Sequence, residues 1–211
     1  MVSPLHAIVD VGAASRAGWT PLDLARAFLD GGASLIQVRA KQLASGAFLE
    51  LSAAAVALAR SYHAQVIIND RVDLALLSGA TGVHVGQDDL PPAAARRLLG
   101  PWAVIGYSTH TIEQLGAAVE TPVSYIAVGP VFGTTTKETG YDAVGLDLVS
   151  AAARLAGRLP VVAIGGITLE NARSVIDAGA TGVAVIGDLL VGGDPARRAR
   201  AFLQSLTRNR V

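Results

Sequence analysis

Ser78-Gly79-Ala80-Thr81-Gly82-Val83-His84-Val85 is echoed one hundred positions later by Ala178-Gly179-Ala180-Thr181-Gly182-Val183-Ala184-Val185. Each copy marks a helix stop, a tight turn and entry into a buried strand. A weaker copy, Gly32-Ala33-Ser34-Leu35, begins 47 positions before Gly79. Intervals of this size suit two and four βα units of roughly 25 residues each. The 211 residues then hold about eight units, the number that closes a (β/α)8 TIM barrel.

Working outward from the echo, short apolar runs recur along the whole chain: Leu5–Val9, Leu35–Val38, Gln65–Ile68, Gly82–Val85, Ala103–Ile105, Tyr125–Val128, Val161–Ile164 and Gly182–Ile186. Most lack strict alternation, the mark of strands buried on both faces in a parallel sheet. Helical patterns lie between them. Thr20-Pro21-Leu22-Asp23 reads as an N-cap, a first-turn proline and an acidic third position, and Gly31-Gly32 gives the stop. Residues 46–61 set Phe48, Leu51, Ala55, Leu58 and Ala59 on one stripe. Thr168 is expected to cap a helix that stops at Gly179. A doubly wound open sheet is the competing architecture, but the turn after the first run, Val9-Asp10-Val11-Gly12-Ala13-Ala14, carries no GxGxxG. With no linker or low-complexity tract, residues 1–211 read as one barrel domain.

Composition narrows the functional classes. Seventeen basic residues balance seventeen acidic ones, so no global pull toward nucleic acid or an acidic membrane is expected. The absence of cysteine removes thiolate nucleophiles, thiolate metal sites and disulfides, leaving oxygen or imidazole to hold any metal. A mean hydropathy of +0.45 invites a membrane reading. Asp70, Asp73, Asp89, Glu170 and Asp188 interrupt the apolar regions well short of the roughly 18 residues a spanning helix needs. The segment MVSPLHAIVDVG lacks a basic start, and the expectation is a soluble, cytoplasmic protein. A homo-oligomer is compatible with the sequence.

In such a barrel chemistry sits at the C-terminal ends of the strands, where almost every run gives way to polar residues. Gln37, Arg39 and Lys41 at alternate positions share one face if the segment stays extended, offering two cations and an amide to an anion. Asp70 and Asp89 follow neighbouring strands. Two carboxylates with room for water and phosphate oxygens suit Mg²⁺, although aspartates also cap helices, and Asp88 rivals Asp89 on chemistry alone. Thr134-Thr135-Thr136-Lys137 supplies hydroxyls, amides and a cation. Gly165-Gly166 and Gly187 follow strands seven and eight, where barrels bind phosphate on backbone amides. His84 is expected to be structural. His110 beside Ser108 is a candidate acid or base without an acidic partner, so a Ser-His-Asp triad is weakly supported. The inventory favours departure of a diphosphate without a covalent intermediate.

Five segments carry a more specific likeness: Gln37-Val38-Arg39-Ala40-Lys41; Ile68-Asn69-Asp70-Arg71-Val72-Asp73-Leu74-Ala75; Gly82-Val83-His84-Val85-Gly86-Gln87-Asp88-Asp89; Val128-Gly129-Pro130-Val131-Phe132 with Thr134-Thr135-Thr136-Lys137; and Ala163-Ile164-Gly165-Gly166-Ile167. Together, in order from about Leu5 to Val211, they resemble the thiamine phosphate synthase family. The resemblance implies a (β/α)8 barrel, Mg²⁺, and two small-molecule substrates: 4-amino-2-methyl-5-hydroxymethylpyrimidine diphosphate and a thiazole phosphate, joined with release of pyrophosphate. It implies that Gln37, Arg39 and Lys41, in a segment completed by Val38 and Ala40, hold the pyrimidine diphosphate with Asn69, Ser108 and Lys137. Asp70 and Asp89 then hold Mg²⁺, which selects Asp89 over Asp88. Thr134, Thr136, Gly166, Ile186 and Gly187 cradle the thiazole phosphate, and Thr135 counts with them among the substrate-binding residues.

In the implied chemistry diphosphate departure leaves a pyrimidinylmethyl cation that the thiazole nitrogen attacks, with Arg39, Lys41, Ser108 and Lys137 as the catalytic set. Two departures stand out: Gly187 where many relatives have serine, and His6 where tyrosine is common. Competing readings are a thiazole tautomerase of the same superfamily, with His110 as its acid or base, and a non-catalytic sensor of phosphorylated ligands.

Overall fold

In the computed structural model, which describes residues 3–133 and 142–207, the apolar runs become eight parallel strands: β1 (Leu5–Asp10), β2 (Leu35–Arg39), β3 (Gln65–Asn69), β4 (Gly82–Val85), β5 (Val104–Thr109), β6 (Tyr125–Val128), β7 (Val161–Ile164) and β8 (Gly182–Val185). They close a barrel in chain order, and β1 meets β8 through Leu5↔Val183, His6↔Ala184 and Ala7↔Val185. Helices α1 (Val11–Arg16) and α2 (Pro21–Asp30) follow β1, and α3 (Ser45–Arg60) follows β2. Then α4 (Val72–Ser78), α5 (Pro92–Leu99), α6 (Ile112–Val119), α7 (Gly145–Ala156) and α8 (Ala172–Asp177) each follow one strand. A kinked 3-10 segment, Gly187–Gly193, and α9 (Pro195–Thr207) come after β8. Among the described residues no helix is long and apolar enough to cross a membrane.

The sequence echo has a physical origin. Gly79 and Gly179 adopt positive φ, +68° and +107°, as the chain leaves α4 and α8, a conformation in which a Cβ is penalised. Thr81 and Thr181 then play one role twice: each hydroxyl accepts from the first paired strand's backbone, Val66 N at 3.1 Å and Val161 N at 3.3 Å. Gly82 must be small, because a Cβ there would sit 1.8 Å from the Val104 carbonyl oxygen.

Local signals fare unevenly. Thr20 caps α2 as expected, accepting from Asp23 N at 3.1 Å and donating to its carboxylate at 2.7 Å. The buried face of α3 is Phe48, Ser52, Ala55, Val56 and Ala59, so Leu51 and Leu58 sit at its half-buried flank. Ser52 belongs inside because its hydroxyl donates to the Phe48 carbonyl at 2.7 Å, which removes the cost of burying it. Thr168 does not cap α8 directly. It accepts from Asn171 N at 3.3 Å, while Asn171 Oδ1 accepts from Thr168 N at 2.8 Å, closing a turn ahead of Ala172. Strand β5 runs to Thr109 rather than Ile105 because Gly106, Ser108 and Thr109 keep the ladder with β6 while breaking the apolar pattern.

Strand residues alternate between two cores. Leu5, Val9, Ile36, Val38, Val83 and Val85 pack outward under the helices. Ile8, Tyr125, Ala127, Val162, Ala184 and Ile186 fill the inside. The barrel is not wholly apolar there: His6, Gln37, Asn69, His84 and Ser108 are also buried and line the interior beneath its mouth.

Candidate active site

Strand β1 ends on Asp10, which caps α1 by accepting from Ala13 N at 2.8 Å and pairs through its other oxygen with the Arg39 guanidinium. The β1–β2 register sets Asp10 directly beside Arg39, so the ion pair follows from strand pairing. Both side chains are largely buried. Arg39 Nε has no hydrogen-bond partner among the described residues, leaving a buried donor that lines the interior cavity with Gln37 and Asn69. Asp10 is missing from the sequence-derived site, although it occupies the strand-end position that singled out the others.

The expected alternation holds for Gln37 and Arg39 and fails at Lys41, because β2 ends at Arg39 and the chain turns. Lys41 reaches the site from that turn and ion-pairs with Asp70 at 2.6 Å. Val38 points outward into the helix-facing core and Ala40 is buried, so the Val38 side chain faces away from the mouth. Asp70 takes a positive φ of +64°, and its amide donates to the His84 carbonyl at 2.7 Å. Asp89 accepts from Gly86 N at 2.7 Å. Burial raises the Asp89 carboxyl above its usual range, and the neighbouring Asp70 charge pushes the same way. The two carboxylates are therefore brought together as expected, while Asp88 is exposed.

Ser108 is engaged by His84 rather than by His110. His84 Nε2 lies 2.8 Å from the Ser108 hydroxyl, and Nδ1 lies 2.9 Å from the Tyr125 hydroxyl. A phenol thus stands where a hydrolase triad would need a carboxylate. His110 instead meets the Gly129 carbonyl through Nδ1, and its amide donates to Gln114 Oε1 at 2.7 Å. His6 stands edge-on to Tyr125, with ring centroids 4.9 Å apart. Burial depresses its pKa to about 4, so this imidazole is neutral at physiological pH.

On the opposite side of the mouth a cavity of about 300 Å³ is bounded by Ser108, Gly129, Gly165, Gly166, Ile186 and Gly187 among others. Gly165 and Gly166 have positive φ, +99° and +62°. A Cβ on Gly166 would lie 2.5 Å from the Gly133 carbonyl oxygen, so the segment after β6 can approach only because no side chain is there. Asn171 Nδ2 donates to the Gly166 carbonyl at 3.0 Å. Asp188 ties this loop to the one after β8: it accepts from Leu169 N at 3.0 Å and from Arg198 at 2.7 Å. Asp188 directly follows the site position Gly187, and in the sequence it marks only a break in hydropathy. Thr134, Thr135, Thr136 and Lys137 lie outside the described residues.

Comparison with known proteins shows the family. The family model described as thiamine monophosphate synthase matches residues 5–189. The chain is 50% identical over 184 residues to the thiamine-phosphate synthase of Koribacter versatilis, covering 86% of this chain and 84% of that protein. It is 44% identical over 181 residues to the thiamine-phosphate synthase of Roseiflexus castenholzii, covering 86% and 79% respectively. Among solved structures, thiamine phosphate pyrophosphorylase from Pyrococcus furiosus superposes with a TM-score of 0.84 at 30% identity, over 96% of this chain and 94% of that one. A KDPGal structure at 21% identity and a TM-score of 0.70 shares the fold alone. With the family model spanning most of the barrel and these relatives aligned over about four-fifths or more of their length, the chain belongs to the thiamine monophosphate synthase family and is a transferase of that kind.

Proposed function

We propose that the chain joins 4-amino-2-methyl-5-hydroxymethylpyrimidine diphosphate to a thiazole phosphate, giving thiamine phosphate and pyrophosphate. The observation that carries this reading is the division of one barrel mouth into two subsites with Ser108 lining both. One is ringed by Gln37, Arg39 and Asn69, with Lys41, Asp70 and Asp89 at its rim. The other is lined by Gly166 and Gly187, whose backbone amides would serve the second phosphate.

Asp10 holds Arg39 through one N–H, so the rest of the guanidinium fork, including the unpartnered Nε, is ready to donate to a leaving diphosphate without reorganising. Lys41 adds a second cation from the turn, and the resemblance adds Lys137. Among the described residues no three acidic or imidazole groups gather as a metal cage. That suits Mg²⁺, which takes one or two carboxylates and fills its shell with water and phosphate oxygens. Asp70 and Asp89 would hold it, and a divalent cation would offset the Asp70 charge that adds to burial in raising the Asp89 carboxyl. When bound, Mg²⁺ would neutralise charge growing on the departing diphosphate. Gly166 and Gly187, fixed by Asn171 and Asp188, would orient the second substrate so that its ring nitrogen faces the carbon being released.

Titration calorimetry tests the assignment of the two subsites. Arg39→Ala is expected to weaken pyrimidine diphosphate binding about tenfold or more while leaving the thiazole phosphate unaffected. Equal weakening of both ligands, or of neither, would refute the division.

A further inference from the structure

The described mechanism leaves a buried Tyr125–His84 pair unused. Tyr125 is 1% exposed, His84 9% and Ser108 8%. Their ring planes lie 24° apart with centroids at 5.6 Å. The barrel makes room for them at Gly106, where a Cβ would sit 2.1 Å from the Tyr125 ring and 2.4 Å from His84 Nδ1. Resting on the functional reading above, we infer that Tyr125 and His84 are positioning residues that fix the direction of the Ser108 hydroxyl hydrogen.

Proton accounting gives the direction. Among the described residues the Tyr125 hydroxyl has one hydrogen-bond partner, His84 Nδ1. If Nδ1 carried the proton, Tyr125 would accept it and its own O–H would be buried without an acceptor, a costly outcome. The phenol therefore donates to Nδ1, and the neutral imidazole carries its proton on Nε2. That proton is donated to Ser108 Oγ. The serine hydrogen, excluded from the histidine side, points into the mouth, where it meets an acceptor atom on the substrate. The groups around the imidazole add no charge: His6, which packs edge-on to Tyr125, resists protonation down to about pH 4, and burial raises the phenol's pKa. Reversing the tautomer would turn Ser108 from donor to acceptor.

Two measurements test the inference. Long-range ¹H–¹⁵N correlation on the unsubstituted protein at neutral pH, with His84 assigned through its Hβ protons, is expected to show a protonated Nε2 and an unprotonated Nδ1. The opposite tautomer overturns the relay. Kinetically, Tyr125→Phe is expected to lower kcat/KM for the pyrimidine diphosphate by about tenfold, yet by less than about twofold when added to Ser108→Ala, because residues acting through one group are not additive. Effects that multiply in the double variant overturn the relay and indicate a structural role instead. Should Tyr125→Phe fail to fold, the tautomer on the unsubstituted protein decides. Absence of coupling activity in the unsubstituted enzyme would refute the functional reading, and the relay would still stand or fall on that tautomer.

Discussion

Replacing His6 by phenylalanine isolates one proton in the stability of the barrel. The imidazole is 1% exposed and its Nε2 has no hydrogen-bond partner among the described residues. Burial lowers its pKa from 6.5 to about 4. An unfolded chain takes up this proton as pH falls below 6.5, whereas the folded chain does not until about 4. The unfolded state thus binds more protons between those values, and folding stability declines as pH falls through that window. At about 1.4 kcal/mol per pH unit, the loss from pH 7 to pH 5 is about 2 kcal/mol. Phenylalanine keeps an edge against Tyr125 and removes the titrating group. Urea unfolding followed by far-ultraviolet circular dichroism, at pH 7 and pH 5 for both proteins, cancels the shared carboxylate contributions. The native protein is expected to lose about 2 kcal/mol more than His6→Phe over that interval. Parallel losses would show that the folded His6 protonates normally and that the interior is not as dry as its burial indicates.

Asp10→Asn should keep the α1 cap while removing the counter-ion of Arg39; a destabilisation of about 3 kcal/mol in urea unfolding, with at least a tenfold fall in turnover, is expected from breaking a buried pair. Asp89→Asn removes one of two repelling carboxylates, so the metal-free protein should melt at the same or a higher temperature by calorimetry. It should lose any stabilisation by added Mg²⁺ and turn over at least about tenfold more slowly. Gly166→Ala places a methyl against Gly133 and Phe132 at positive φ; steady-state kinetics should show a raised KM for the thiazole phosphate, together with about 1–3 kcal/mol of lost stability.

The barrel was legible because its repeats are dictated by backbone geometry. Wherever a helix must stop and a parallel strand must start, the same glycine and threonine solve the same problem, as at Gly79-Ala80-Thr81-Gly82 and Gly179-Ala180-Thr181-Gly182. Candidate positions at the barrel mouth are legible where a polar residue or a glycine comes after an apolar run, as for Asp70, Asp89 and Gly166. Pairings are not. Asp10 meets Arg39 across a strand boundary that only the register fixes, and Ser108 meets His84 because the register sets His84 beside Gly106, two residues before Ser108, whereas His110 is nearer in sequence. Lys41 comes to Asp70 from the turn after Arg39, where an alternation rule no longer holds. Tyr125 looked like an ordinary strand start, and nothing in its sequence neighbours reveals that its hydroxyl faces an imidazole inside the barrel.

The most direct test combines the purified protein with both substrates and measures thiamine phosphate and pyrophosphate together, with Mg²⁺ present, removed by chelation and restored. The expected result is equal amounts of the two products, formed only when both substrates are present, lost on chelation and recovered with Mg²⁺. Tight binding of both ligands without pyrophosphate release, or turnover indifferent to chelation, would contradict the proposed reaction.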